Sequence, residues 1–202
     1  MTRRGDETRR RLLEAAAAEF AANGIAGTKM EAIARSAQAN KERLYGNFGS
    51  KDALFAEVLR GRMGDLAAAV ELDPNAVPEY LGRIFDFHAE HPQLIRLLHW
   101  EGLQTAPPWA EQNLRTAHYA EKARAVGEGS GDEDPAALLV GLLALATWWF
   151  VVPQIVEMTL GEDPATPESR ARQRATVVRL AERMVASSRA PSRVSGGLRP
   201  GR

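Results

Sequence analysis

The chain has no cysteine. That excludes disulfides, a thiolate nucleophile and any cysteine-ligated metal centre, and it fits a cytoplasmic protein. It also has no net charge: 26 Lys and Arg balance 26 Asp and Glu. Bulk charge alone therefore does not draw it to nucleic acid or to an anionic membrane. β-Branched runs are few while Ala and Leu abound, which argues against a sheet and for an all-α fold. Catalytic signatures are missing too. Residues 127–131 read GEGSG, which is neither G-x-S-x-G nor G-x-G-x-x-G, and there is no P-loop. His88 and His91 stand three apart, with His99 following, but without cysteine and with few carboxylates nearby they read as surface or pocket histidines rather than a metal site. No catalytic residue, metal or cofactor is expected, and the chain is not expected to be an enzyme.

What is present begins with an uneven distribution of charge. Residues 1–64 carry 12 basic and 8 acidic side chains, and residues 65–202 carry 14 and 18. A head at +4 on a body at −4 suits a protein that meets phosphate at one end only, and the small bias implies that affinity leans on pairing two copies. At 202 residues the chain is long enough to bury a substantial core.

The most informative stretch is 28–51, TKMEAIARSAQANKERLYGNFGSK. Thr28 followed three residues later by Glu31 reads as a capping box opening a helix with Met30, Ile33 and Ala34 on one face. Asn40 is placed to cap a second helix over Lys41 to Tyr45, with Leu44 and Phe48 turned inward and Lys41, Glu42, Tyr45 and Asn47 outward. Ser50 caps the next helix. Two short helices with a tight joint, the second polar outside, form a helix-turn-helix or an ordinary helical hairpin. In the DNA-binding motif the second helix enters the major groove.

The run Leu13, Ala16, Phe20, Gly24, Thr28, Ile33, Ala34, Ala37, Leu44, Tyr45, Phe48, Ser50, Lys51, Leu54 resembles the N-terminal domain of TetR-family transcriptional regulators. LYGNFGSKDALF (44–55) is similar to that family's LYxxFxSKxxLF signature, and NKERLY (40–45) to one branch of it. The resemblance covers about residues 8–60. It implies a homodimer on a near-palindromic double-stranded DNA operator, with a small-molecule effector in the body. DNA contacts are then expected from Thr28, Lys29, Met30, Ala39, Asn40, Lys41, Glu42, Tyr45, Asn47 and Lys51. Lys41 and Tyr45 would read base edges, Ala39 would meet a thymine methyl, and Thr28, Lys29, Asn47 and Lys51 would sit on phosphates. Two positions depart from the family. Gln38 stands where Gly is usual, and is strained if the turn needs a positive φ. Glu42 replaces a small residue; it repels phosphate but can accept from a cytosine amino group, or pair with Arg43 or Lys41. These departures keep open a ligand-binding or scaffolding dimer without DNA binding.

Along the chain, residues 1–5 are expected to be disordered and, with Arg9, Arg10 and Arg11, to form a basic arm. That arm either touches phosphate or the minor groove, or merely solvates a helix start. Arg3 and Arg4 precede no apolar run, so no targeting peptide is expected. Helix 1 is predicted from Asp6 to Asn23 with Leu13, Ala16, Ala17 and Phe20 buried, and a connecting helix from Ser50 to about Leu72. Two amphipathic helices follow over 78–90 and 92–103, each opened by Pro, and then a polar one over 109–126. Residues 127–134 (GEGSGDED) read as a flexible acidic linker. Residues 135–156 hold 22 residues without a charge. That length could span a bilayer, but the flanks are acidic and lack Lys or Arg anchors, so a helix buried on every face is expected, kinked or ended near Pro153. A last helix covers 165–187, and 189–202 should be disordered. The total is about nine helices: a DNA-binding domain over 1–50 and a ligand-binding and dimerisation domain over 51–188. The resemblance places the dimer contact on the last two helices, 135–160 and 165–187. Phe85, His88, Trp100, Trp109, Tyr119 and Trp148 are candidate cavity residues, with His99, Gln104, His118 and Thr147 as further polar groups. A ligand among them should be largely hydrophobic or aromatic.

Overall fold

A computed structural model describes residues 3–106, 108–132 and 134–188. The described residues form ten α-helices and one 3-10 turn. The head comprises α1 (Arg3–Gly27), α2 (Met30–Ser36) and α3 (Lys41–Phe48). α4 (Lys51–Ala69) leads to the 3-10 turn Pro74–Ala76 and to the body: α5 (Val77–Glu90), α6 (Pro92–Gln104), α7 (Gln112–Ser130), α8 (Pro135–Val151), α9 (Pro153–Leu160) and α10 (Pro167–Ser188). The tail expected at 189–202 lies outside the described residues.

The head closes on a core of Leu12, Ala16, Phe20, Ile33, Leu44 and Leu54, all essentially removed from water. Leu12, Ala16 and Phe20 are four apart, so they share one face of α1. Leu12 thus takes the place expected of Leu13, which is only partly buried. Phe20 meets Phe55 of α4 edge to face, with ring centroids 5.3 Å apart. α4 thereby seals the head while Met63 and Leu66, further along it, face the body.

In the body α5 is the central element, amphipathic enough to bury Tyr80, Leu81, Ile84 and Phe85. α10 packs along it through Val177 and Ala181, and α8 through Leu142, Ala146 and Trp149. Asp134 caps α8 by accepting from the Ala137 N–H at 3.0 Å, and Pro135 fits the first turn.

Four expectations change here. Residues 3–5 are helical, so α1 begins before Asp6. α7 does not stop at 126: Gly127–Ser130 form its last turn, so the expected acidic linker is mostly helix. The uncharged run 135–156 is two helices, because proline disfavours helical geometry in the residue before it and Val152 adopts φ −127°, ψ 56°. This split raises the helix count from nine to ten. Finally, α8 is apolar all round yet not buried all round. Leu139, Leu142, Ala146 and Trp149 face inward, while Val140, Ala144 and Trp148 face solvent. Among the described residues no single helix is long and apolar enough to cross a membrane.

Candidate nucleic-acid interface and ligand cavity

α2 buries Met30, Ile33 and Ala34, and α3 buries Leu44 and Phe48. The joint between them places Gln38 at φ 52°, the left-handed region that glycine favours. The strain expected at Gln38 is therefore present. Arg11 of α1 supports the joint by donating to the Ala37 carbonyl and, at 3.3 Å, to Gln38 Oε1. Asn40 caps α3 as expected: its Oδ1 accepts from the Arg43 N–H at 2.8 Å. Ser50 caps α4 in the same way, accepting from the Ala53 N–H at 3.1 Å. What α3 leaves outside is a contiguous polar face of Lys41, Glu42, Arg43, Tyr45 and Asn47.

The capping box is corrected. α2 starts at Met30 with Lys29 as its cap residue and no side-chain cap bond. Thr28 is buried, and its hydroxyl donates to the Gly24 carbonyl at 2.7 Å and the Glu19 carbonyl at 3.2 Å. That hydroxyl satisfies carbonyls at the end of α1, so it is not free for phosphate. Met30 likewise belongs to the core. Glu31 pairs with Lys41 across the joint, and Lys41 also lies 5.8 Å from the Tyr45 ring centroid. Lys41 thus has Glu31, not Glu42, as its partner. Asn47 donates to the Arg43 carbonyl at 2.6 Å. Lys51 Nζ donates to the Thr28 carbonyl at 3.2 Å and lies 3.5 Å from that of Ala26, which ties α4 to the entry of α2. An ammonium has three donors, so one N–H remains to point outward.

The arginines expected in the basic arm are paired within the head. Arg9 pairs with Glu57 and lies over Phe48, Arg10 pairs with Glu7 at 2.8 Å, and Arg11 holds the joint. Arg9 and Arg11 fasten α1 to the rest of the head, while the Arg10 pair lies within α1. Arg43, by sequence a partner for Glu42, stands exposed in the middle of α3 and is a further candidate for DNA contact.

The body encloses a cavity of about 190 Å³ between α4, α5, α6, α7 and α8. Met63, Leu66, Ile84, Ile95, Leu98 and Leu143 form its apolar wall. Its polar groups are Tyr80, His88, His118, Tyr119, Lys122 and Thr147. Lys122 Nζ donates to Tyr80 Oη at 2.6 Å and lies 4.7 Å from the Tyr80 ring centroid. Burial pushes the Tyr80 phenol up to about 12 and pushes the Lys122 ammonium below its ordinary range. An adjoining hollow shares Met63, Ala67 and His118.

Of the six candidate cavity residues, His88 and Tyr119 line this space. Phe85 does not; it is core, 4.9 Å from Phe150 and 6.4 Å from Trp149 by ring centroid. Trp100 donates to the Ala21 carbonyl of α1 at 3.3 Å. Trp109 lines a separate groove with Ile25 and Phe55, and Trp148 faces solvent. His118 and Thr147 join the cavity as expected of polar groups, whereas Gln104 grips α1. Tyr80 and Lys122 were missed. Their signal was a tyrosine on the buried face of α5 and a lysine on an otherwise half-apolar stretch of α7.

His88 is 2% exposed, and its Nδ1 has no hydrogen-bond partner among the described residues. Burial, aided by His91, pushes its imidazole down to about 4 from 6.5. The unfolded chain therefore takes up a proton near pH 6.5 that the folded chain refuses until about pH 4. The neutral form carries the stability, which is fully present above pH 6.5 and is lost as pH falls through that window. At roughly 1.4 kcal/mol per unit, the fold should lose about 2 kcal/mol between pH 7.5 and pH 5. Urea unfolding at the two pH values should show this loss, and His88→Gln should remove most of it. An equal loss in the variant would assign the acid sensitivity to other groups.

Taken together, an exposed polar α3 on a stapled head, continuous with an all-helical body around a cavity, defines a helix-turn-helix DNA-binding regulator. A family model described as bacterial regulatory proteins, tetR family, matches residues 12–58, and one described as tetracyclin repressor-like, C-terminal domain, matches 76–183. The HTH-type transcriptional repressor SCO4008 of Streptomyces coelicolor is 45% identical over 166 residues, 77% of this chain and 85% of that protein. The HTH-type transcriptional repressor NicS of Pseudomonas putida is 33% identical over 118 residues, 54% of this chain and 56% of that protein. The crystal structure of a transcriptional regulator, SCO4942 of Streptomyces coelicolor, superposes with a TM-score of 0.76 at 34% identity, covering 88% of this chain and 97% of that one. The chain belongs to the TetR family of transcriptional regulators.

Proposed function

We propose that this regulator represses transcription as a homodimer on a near-palindromic operator and lets go when a small molecule fills the body cavity. One observation carries this reading: two helices, α4 and α6, touch both ends of the mechanism. Met63 and Leu66 of α4 line the cavity, while Lys51 at its start holds the entry to α2. Ile95 and Leu98 of α6 line the cavity, while its last residue, Gln104, accepts from the Ile25 and Ala26 N–H groups at 2.7 and 3.0 Å. Those bonds secure α1 where Gly24 interrupts it at φ 69°, ψ 178°. A side chain at Gly24 would sit 2.9 Å from both Gln104 and Trp100, so this is a close backbone approach as well as a turn. A ligand that prefers one placement of α4 and α6 thereby prefers one placement of the heads, with a coupling of typically ~1–3 kcal/mol.

In this reading α3 lies in the major groove, and a two-fold dimer sets half-sites ~34–36 Å apart or a multiple of that. Lys41, once released from Glu31, reads a base edge together with Tyr45; Asn40, Glu42 and Arg43 flank them. Ala39, Lys29, Asn47 and Lys51 complete the contact. The dimer contact centres on the solvent-facing apolar stripe of α8 and α9, with α10 beside it. Effector-dependent release also fits a cavity with an apolar wall and a few convergent polar groups.

The test is titration against labelled DNA from immediately upstream of the gene, at two salt concentrations with excess competitor. Binding that survives the competitor supports the reading, and binding lost with salt on every sequence overturns it. Lys51→Ala should weaken all sequences alike and flatten the salt dependence by roughly one counterion. Lys41→Ala should cost about 1–3 kcal/mol at one base position of the operator. A Lys41→Ala footprint with unchanged sequence preference would remove Lys41 from base readout.

A further inference from the structure

We propose that the effector is a small apolar carboxylate, held by its carboxylate on Lys122 and Tyr80 with its hydrocarbon body against the wall formed by α4, α5 and α8. The proposal rests on the cavity being the effector site, and it adds the chemistry of what enters. Lys122 reaches into a largely apolar space and makes no ion pair among the described residues. The charged groups of the adjoining hollow are satisfied by one another: Arg115 bonds Glu101 at 2.7 Å, and Arg60 lies 3.7 Å from Glu111. Glu121, next to Lys122 in the chain, is exposed and faces the outer mouth. The cavity is therefore left with one cation that makes no ion pair among the described residues, with Glu71 and Glu121 no nearer than the outer mouth it shares with them.

Tyr80 completes the anion site. Its oxygen accepts from Lys122, which leaves its own O–H to donate, so a carboxylate at this point accepts from an ammonium and a phenol together. An amine-bearing ligand would meet Lys122 as a like charge, and a neutral amide would leave the ammonium unneutralised. A phosphate ester asks for more positive charge than a single lysine supplies. The charge of a bound carboxylate also offsets the desolvation that holds Lys122 below its ordinary range, because it places a counter-charge beside the ammonium. On the α8 side of the cavity Thr147, whose hydroxyl donates to the Leu143 carbonyl at 2.8 Å, keeps its lone pairs. An acid with a second polar atom is thus favoured over a plain hydrocarbon chain.

The test uses the full-length dimer and a probe panel of phenylacetate, 3-phenylpropanoate, hexanoate and octanoate, each beside its amide and its amine. Direct binding is read by calorimetry and thermal shift, without DNA. Acids should bind and raise Tm, while the matching amides and amines should bind at least about tenfold more weakly, the scale of one charge-assisted hydrogen bond. Lys122→Met, close in shape but neutral, should abolish the preference for acids while keeping an unliganded Tm at or above the parent. Tyr80→Phe should weaken acid binding in the same direction. Amides or amines binding as well as acids, full acid binding by Lys122→Met, or no acid in the panel binding at all would each overturn the proposal. Operator release is measured separately. Acids that bind but leave the DNA complex intact would sink the effector-release reading while leaving the carboxylate site standing.

Discussion

Gly129→Ala should lower the melting temperature by about 2–12 °C, although alanine is the better helix former. In an exposed helix interior the change is worth up to ~1 kcal/mol in alanine's favour. Here the added Cβ would lie 1.9 Å from the carbonyl oxygen of Pro74 and 3.3 Å from Val77 Cγ2. The obstacle is backbone, and that backbone is itself fixed: Asp73 caps the 3-10 turn by accepting from the Asn75 N–H at 2.8 Å, and Val77 is buried. The last turn of α7 must back away, and overpacking of this kind costs roughly 1–3 kcal/mol or more. For a chain of this length each kcal/mol moves Tm by about 2–4 °C. Gly61→Ala in α4 is the internal control, since nothing lies within 4 Å of its added Cβ. It should raise Tm by about 2–4 °C. If both variants gain stability, α7 does not run against the Pro74 turn.

That contact also explains why residues 127–130 are helix where their composition suggests a linker. GEGSGDED has the composition of a linker, and local composition carries no trace of a carbonyl waiting 74 residues into the chain. The glycine is there for close approach, not for flexibility. The head was far more legible because its signals are local. The Asn40 and Ser50 caps depend on residues three positions away, and the Leu44 and Phe48 pair on a four-residue spacing. Even the cost of Gln38 could be foreseen from the turn it occupies. The capping box failed because Thr28 serves the preceding helix instead: carbonyls of α1 four and nine residues upstream take its hydroxyl. The partners of Arg9 and Arg11 were not legible locally, since Glu57 and the Ala37 carbonyl are supplied by other helices.

The cavity was legible in kind and not in membership. Aromatic residues from several helices do converge, but Phe85 went to the core, Trp100 to α1 and Trp148 to the surface. The polar pair that gives the cavity its character, Lys122 and Tyr80, lies 42 positions apart. Packing of α7 against α8 and the Pro74–Ala76 turn brings it together. The uncharged α8 gave no hydropathy contrast by which to tell its inner face from its outer one, so its rotation had to come from the structure.

That rotation yields the second large prediction. Trp148 is 54% exposed while its neighbour Trp149 is 6% exposed and donates to the Pro164 carbonyl at 3.3 Å. Val140, Ala144 and Trp148 are four apart on the outer face of α8, and Ile155, Met158 and Leu160 continue the apolar surface on α9. A patch of this kind is expected to be covered, and the proposed homodimer covers it with its own copy. In an isologous contact each side chain counts twice. A buried tryptophan anchor is worth roughly 2–4 kcal/mol per copy, so Trp148→Asp should cost the dimer about 4–8 kcal/mol. Sedimentation equilibrium should then find monomers at micromolar concentration. Each monomer keeps an intact head, so half-site binding survives, but the second head no longer arrives at high effective concentration, and operator affinity should fall by ~10²–10⁴-fold. Trp149→Asp is the contrasting variant: it attacks the core, and should unfold the body rather than dissociate it. A Trp148→Asp protein that remains dimeric would move the interface off α8 and α9, leaving that apolar stripe to be covered by something other than a second copy.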